Sequence, residues 1–165
     1  MKLAVMKTNS RNYLNYLVPG LLCLVILSSV ACSAKIVRGA SPMVRMTELS
    51  HQDGMVNLQL NIRNINGVDM SIRNIDVELS MDNEASLRFD GPADVNIAAN
   101  GVETWNVELQ ESEAGRDLLN SLENGDINSL PYRLTGSVVT LEDGSLRYEY
   151  EGHIYPLPGR PGYFR

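Results

Sequence analysis

The amino-acid sequence predicts a mainly β protein: an antiparallel β-sandwich with one α-helix inserted late, behind an apolar leader that stops at a cysteine. Three observations predict it. Apolar and polar residues alternate with period two in four separate runs, the pattern of half-buried strands with one dry and one wet face. Turn residues separate these runs: Asn66-Gly67, Asp90-Gly91-Pro92, Asn100-Gly101 and Asp143-Gly144, which tolerate positive φ or preset a turn. A single segment late in the chain changes to helical spacing.

The leader comes first. Residues 17–31 carry no charge and residues 21–27 are wholly apolar, a run shorter than the roughly 20 residues a membrane-spanning helix needs. Pro19-Gly20 weakens its early half as a helix. Lys2, Lys7 and Arg11 precede it, and Ser28, Ser29 and Ala31 close it. That is the layout of a secretory signal, with Met1 or Met6 as the start. Residues 1–31 are therefore expected to be a cleaved N-terminal signal helix. Residues 32–42 lack periodicity and hold Gly39 and Pro42, which reads as a flexible tether. Residues 43–152 are the expected folded domain, and residues 153–165 a Pro/Gly-rich tail.

Within the domain, 44–49 is a weak strand candidate. Val56, Leu58, Leu60 and Ile62 alternate with Asn57, Gln59, Asn61 and Arg63. Ile75, Val77, Leu79 and Met81 alternate with Asp76, Glu78 and Ser80. Two short pieces, 87–89 and 95–97, flank the Asp90-Gly91-Pro92 turn. Trp105, Val107 and Leu109 alternate with Asn106, Glu108 and Gln110. Residues 112–124 are the helix. Leu118, Leu119 and Leu122 share a face, Ser112 is placed to cap the start, Gly115 weakens the first turn, and Asn124-Gly125 supplies the stop. A further strand over 132–141 leads through the loop at 141–146 into Leu146, Tyr148 and Tyr150, which alternate with Arg147, Glu149 and Glu151. Tyr148 and Tyr150 are expected to fill the core, with the tail stiffened by Pro156, Pro158 and Pro161 and lying along the surface.

Charge excludes one class of partner. All 20 acidic residues follow the leader, and the chain from Cys32 onward carries 11 basic groups against them, a net charge of −9. Nucleic-acid binding needs clustered Lys and Arg, so no nucleic-acid partner is expected. Anionic lipid headgroups would also repel this surface, so contact with a membrane needs an attachment of its own. With Cys23 inside the leader, Cys32 is left as a lone thiol without an internal disulfide partner.

The search for catalytic or metal chemistry yields little. His51, His153 and Asp53 are a thin set for zinc and read as solvated loop residues. Asp82-Asn83-Glu84 lacks the spaced loop of a calcium site and reads as a turn. Gly115 and Gly125 are too far apart for a phosphate loop, no Ser sits in a Gly-x-Ser-x-Gly elbow, and Glu149 and Glu151 read as a wet strand face. No catalytic residue, no metal site and no cofactor are expected, and the protein is read as a non-enzyme.

The stretch Ser28-Ser29-Val30-Ala31-Cys32 resembles the lipobox of bacterial lipoproteins. The resemblance implies cleavage between Ala31 and Cys32, a diacylglyceryl group on the Cys32 thiol and acylation of the new amino end. Ser29 departs from the pattern, where Leu is commoner. Ser33, rather than Asp, follows the cysteine, which in a Gram-negative cell implies the outer membrane, facing the periplasm. Each buried methylene contributes about 0.8 kcal/mol and stable anchoring takes two chains or more. Such a lipid would hold this acidic domain at a membrane.

The domain itself resembles the late-embryogenesis-abundant type 2 group, also called WHy-domain proteins, over about residues 43–165. Leu58-Gln59-Leu60-Asn61-Ile62-Arg63-Asn64-Ile65-Asn66 is similar to the group's first long strand and its Asn-Pro-Asn turn, with Ile65 in place of Pro. Ile75-Asp76-Val77-Glu78-Leu79-Ser80-Met81 is similar to the next strand. Leu118-Leu119 through Leu130-Pro131-Tyr132-Arg133-Leu134-Thr135-Gly136 resembles the helix and the strand after it. The ending from Tyr155 to Gly162 resembles that of bacterial lipoprotein members. The resemblance implies an immunoglobulin-like or fibronectin-III-like sandwich. It also implies a non-enzymatic role in stress or desiccation, by binding or protecting envelope components. The alternative is an accessory subunit that docks an envelope protein through a sheet edge or the tail.

Overall fold

The structure, a computed structural model, describes residues 36–165. The expected signal helix (1–31), the cleavage position at Ala31 and the lipidation candidate Cys32 lie outside the described residues.

Among the described residues eight strands and one helix follow one another: β1 (Met43–Gln52), β2 (Met55–Arg63), β3 (Met70–Met81), β4 (Ala85–Ile97), β5 (Val102–Gln110), α1 (Glu113–Asn124), β6 (Leu130–Thr140), β7 (Gly144–Ile154) and β8 (Tyr163–Phe164). They form two antiparallel four-stranded sheets, ordered β5-β2-β1-β8 and β4-β3-β6-β7. This is the expected mainly β sandwich with one helix inserted late. The alternating runs supply its core: Val56, Leu58, Leu60 and Ile62 from the first sheet and Ile75, Val77, Leu79 and Met81 from the second are fully buried. Burying each such side chain contributes about 1.5–3 kcal/mol.

Two bulges explain why β1 and the start of β3 lack clean alternation. The pairing shifts between Met46 and Glu48 and between Ile72 and Asn74. One extra residue in a strand reverses its parity. Met46 and Leu49 therefore both point inward, as do Ile72 and Ile75.

Three expectations are corrected. Residues 85–97 form a single strand, so Asp90-Gly91-Pro92 is not a turn. β4 lies at the edge of its sheet, where the missing N–H of Pro92 faces away from the ladder. The Phe89 ring lies over Gly91: a side chain there would come within 2.8 Å of it. Gly115 does more than weaken a helix turn, because a Cβ at that position would press on Met81 at 3.2 Å; it lets α1 approach β3. The tail is a surface strip only in its Pro-rich part, where Pro156, Pro158 and Pro161 are exposed; its end is not. Phe164 is fully buried in the core, β8 pairs with Leu49 and Ser50 of β1, and two hydrogen bonds of 2.9 Å join Tyr155 to Arg165. The Pro-rich segment between them is the loop that delivers a two-residue edge strand.

The helix ends as its sequence requires. The Ser112 hydroxyl accepts from the Gly115 N–H at 3.1 Å. Gly125 adopts the left-handed conformation that closes the last turn.

Candidate functional site

The chain reaches the sandwich through a strap, residues 36–42. Val37 accepts a hydrogen bond from the Gly67 N–H at 3.0 Å. Ala40 is held twice by the Asn66 side chain: its N–H donates to Oδ1 and its carbonyl accepts from Nδ2, both at 2.9 Å. The segment expected to be part of a flexible tether is thus fixed to the domain over Val37 to Ala40.

Asn66 can do this because Asn64 holds it. Both side chains are buried. Asn64 Oδ1 accepts from the Asn66 N–H at 2.9 Å and from Asn66 Nδ2 at 3.1 Å. Asn64 Nδ2 donates to the carbonyls of Val68, Ala98 and Ile97 at 2.8, 3.1 and 3.3 Å, and the Asn64 N–H donates to Gly101. One pair of amides therefore joins the strap, the β2–β3 connection and the β4–β5 turn. Among the described residues every buried side-chain polar atom has a partner, as a low-dielectric interior demands. Asn64 and Asn66 were legible only as turn residues; their joint burial appears when β4 and β5 close over them.

A second motif explains the segment from Pro131 to Gly136. Tyr132 pairs with Gly152 across β6 and β7, and Tyr148 with Gly136. The Tyr132 ring would lie 2.8 Å from a Cβ at Gly152. The Tyr148 hydroxyl passes over Gly136 and donates to the Asp76 carbonyl at 2.7 Å. A side chain at Gly136 would collide with that carbonyl at 1.9 Å. Each tyrosine uses the space its glycine leaves. Burial pushes the Tyr132 hydroxyl up to about 12, and burial, with Asp76 beside it, pushes Tyr148 up as well.

The remaining candidates are separated. His51, on β1, lies between Glu111 at 3.2 Å and Glu123 at 3.4 Å. Arg116 donates to Glu111 at 2.9 Å and is raised chiefly by that bond. Glu123 accepts from the Gly162 N–H at 3.1 Å. This cluster ties β1, the end of β5, the helix and the tail together. His153 lies on the other sheet, its ring 6.4 Å from that of Tyr155. Asp53 sits in the β1–β2 turn at positive φ. Among the described residues no three His, Cys, Asp or Glu side chains converge on a point that could hold a metal ion. Asp82 and Asn83 take positive φ in the turn joining β3 to β4. Glu149 and Glu151 face solvent and flank Arg133 at 3.7 and 2.6 Å. A hollow of about 650 Å³ is an open groove bordered by Asp76, Ser137, Arg147 and Tyr148.

No family model matches the chain, and no curated protein matches it in sequence. Several solved structures are similar to this chain at low identity. A protein from Archaeoglobus fulgidus is 11% identical over 69% of this chain and 95% of its own, with a TM-score of 0.46. An Arabidopsis thaliana protein solved in solution is 11% identical over 80% of this chain and 93% of its own, with a TM-score of 0.46. A candidate late embryogenesis abundant (LEA) protein, also solved in solution, is 12% identical over 93% of each chain, with a TM-score of 0.43. At identities and scores this low, none of them bears on what this chain does. The fold stands on its own strands and their register.

Proposed function

We propose that the protein is a non-enzymatic lipoprotein of the cell envelope, anchored through acylated Cys32. Its sandwich, of the late-embryogenesis-abundant type 2 kind, binds or shields envelope components under stress. The observation that carries this reading is the junction at Ala31-Cys32: an uncharged run with basic residues before it, small residues closing it, and a lone cysteine where it stops. Two further features support it. The strap is docked from Val37 onward, so the domain begins a few residues after the cysteine. His51 and the carboxylates around it are engaged in contacts that hold the fold. In a Gram-negative cell the protein would face the periplasm from the outer membrane.

One observation favours a second reading, an accessory subunit that docks an envelope protein. The tail is taken up within the fold, but β8 covers only Leu49 and Ser50 of β1. Among the described residues no strand pairs with that edge of β1 from Met43 to Glu48, which leaves it available to an added strand.

Radiolabelled fatty acid distinguishes the anchor from its absence. Wild-type protein is expected to take up label and the Cys32→Ala variant none; an unlabelled wild type refutes the anchor. One stoichiometric partner co-purifying from membranes would favour the accessory-subunit reading.

A further inference from the structure

The geometry points to the strap end of the sandwich as a surface that rests on the lipid bilayer, with the helix end held away from it. The inference rests on the Cys32 anchor proposed above and adds a direction to it.

Chain length sets the first constraint. Five residue steps separate Cys32 from Val37, where the strap is pinned to Gly67. Fully extended they reach about 18 Å. Strand β6 has 11 residues and runs about 36 Å. A tether half as long as the sandwich cannot turn the helix end to the bilayer while the strap end points away.

The apolar surface agrees. Ile36 and Val37 on the strap, Met43 at the start of β1, Ile65 after β2, Val102 at the start of β5 and Leu141 after β6 are all exposed, Leu141 to 64% and Ile36 to 59%. Met43, Arg63 and Val102 form one row across the first sheet. The Leu141 N–H bonds to Ser71 at the same end, and a side chain at Gly39 would touch Asp143 in the β6–β7 turn. Of the large exposed apolar side chains among the described residues, Met55 and Tyr155 alone sit at the opposite end. A cluster of exposed apolar residues marks a contact surface.

Charge completes the argument. Asp53, Asp82, Glu84, Glu113, Asp117 and Asp126 are exposed in the turns and helix of the far end, where anionic headgroups would repel them. At the strap end Arg38, Arg63 and Arg73 are exposed, interspersed with the exposed carboxylates Asp69, Asp94, Glu103, Glu142 and Asp143. Three of these are engaged: Asp94 pairs with Arg73, Asp69 accepts from Ala99 and Glu142 from Ser71, the last two at 3.0 Å. The occupant with matching chemistry is a bilayer surface, with apolar tips at the headgroup boundary and arginines among the phosphates.

The test uses the processed protein purified from membranes. Acylated Cys32 leaves no thiol, so one introduced cysteine takes a bimane label. Leu141→Cys and Val102→Cys report the strap end; Ala114→Cys, exposed on the helix, reports the far end. Each is incorporated into phosphatidylethanolamine–phosphatidylglycerol vesicles carrying a nitroxide lipid. The expected result is flotation of all three with the vesicles, with blue-shifted and strongly quenched emission at 141 and 102 and neither change at 114. Flotation with all three probes equally unquenched overturns the orientation and leaves the anchor standing. Failure to float overturns the anchor and the orientation together. Quenching at 114 but not at 141 reverses the assignment and overturns it.

Discussion

At the end where the strap arrives, the sandwich is closed by the amides of Asn64 and Asn66; at the opposite end it is closed by Phe164 and the buried leucines of the helix, Leu119 and Leu122. The two ends invert inside and outside. The strap end is polar within and carries exposed apolar side chains without. The helix end is apolar within and acidic without, with His51 held between Glu111 and Glu123 at its margin. Apolar contact is strong but without direction, so the helix end contributes stability. Hydrogen bonds fix distance and angle, so the strap end fixes where the chain enters and which way it leads.

The sharpest way to break this comparison is Phe164→Ala. Removing a buried aromatic ring costs about 3–5 kcal/mol, and β8 would lose its inward contact. Urea denaturation is expected to show that loss, with hydrogen-exchange protection of the Gly67 N–H unchanged relative to global stability. The strap end should respond differently. Asn64→Ala leaves the carbonyls of Val68, Ile97 and Ala98 and the Asn66 N–H short of partners, and each buried group left unpaired costs about 1–3 kcal/mol; a net loss of about 2–3 kcal/mol is expected. Hydrogen exchange at Ala40 and Gly67 should rise more than the global change accounts for. Adding Asn66→Ala to Asn64→Ala should cost less than Asn66→Ala alone, because the two share their bonds.

A smaller effect is read by pH and touches the second sheet between the ends. Tyr132, pushed up to about 12, and Tyr148, also raised, keep their protons longer folded than unfolded. Below the ordinary tyrosine value of about 10 their contribution is fully present. Above it the unfolded state ionises first, and stability falls as pH rises through the folded values. Denaturant midpoints should hold steady up to about pH 9 and drop beyond about pH 10, and Tyr148→Phe should flatten that drop. The smallest expected change is Ser112→Ala, about 1 kcal/mol for a lost helix cap, measured by the same denaturation.

Most of the fold was legible because period-two alternation reports burial directly. β2, the main part of β3, β5 and β7 follow from it, and Ser112 and Gly125 bound the helix where their chemistry says they should. What was not legible depends on neighbours. Asp90-Gly91-Pro92 has the composition of a turn, and only the edge position of β4 and the Phe89 ring over Gly91 make it a strand. Phe164 sits among prolines and glycines, and its burial requires β1 to offer an open edge. The bulges at Thr47 and Arg73 hide the parity of two strands. Of the candidate residues, Cys32 rests on local sequence alone and lies outside the described residues, while the amide pair was not legible, because two of the carbonyls that Asn64 bonds, those of Ile97 and Ala98, lie more than 30 residues away on β4 and the turn after it.

The most direct measurement is the intact mass of the native protein extracted from membranes, with fragmentation to locate any modification. A chain that begins at Cys32 and carries acyl mass on that residue is the predicted result. A chain that retains residues 1–31, or one that begins with an unmodified Cys32 thiol, contradicts the anchor, the envelope role and the orientation built on them.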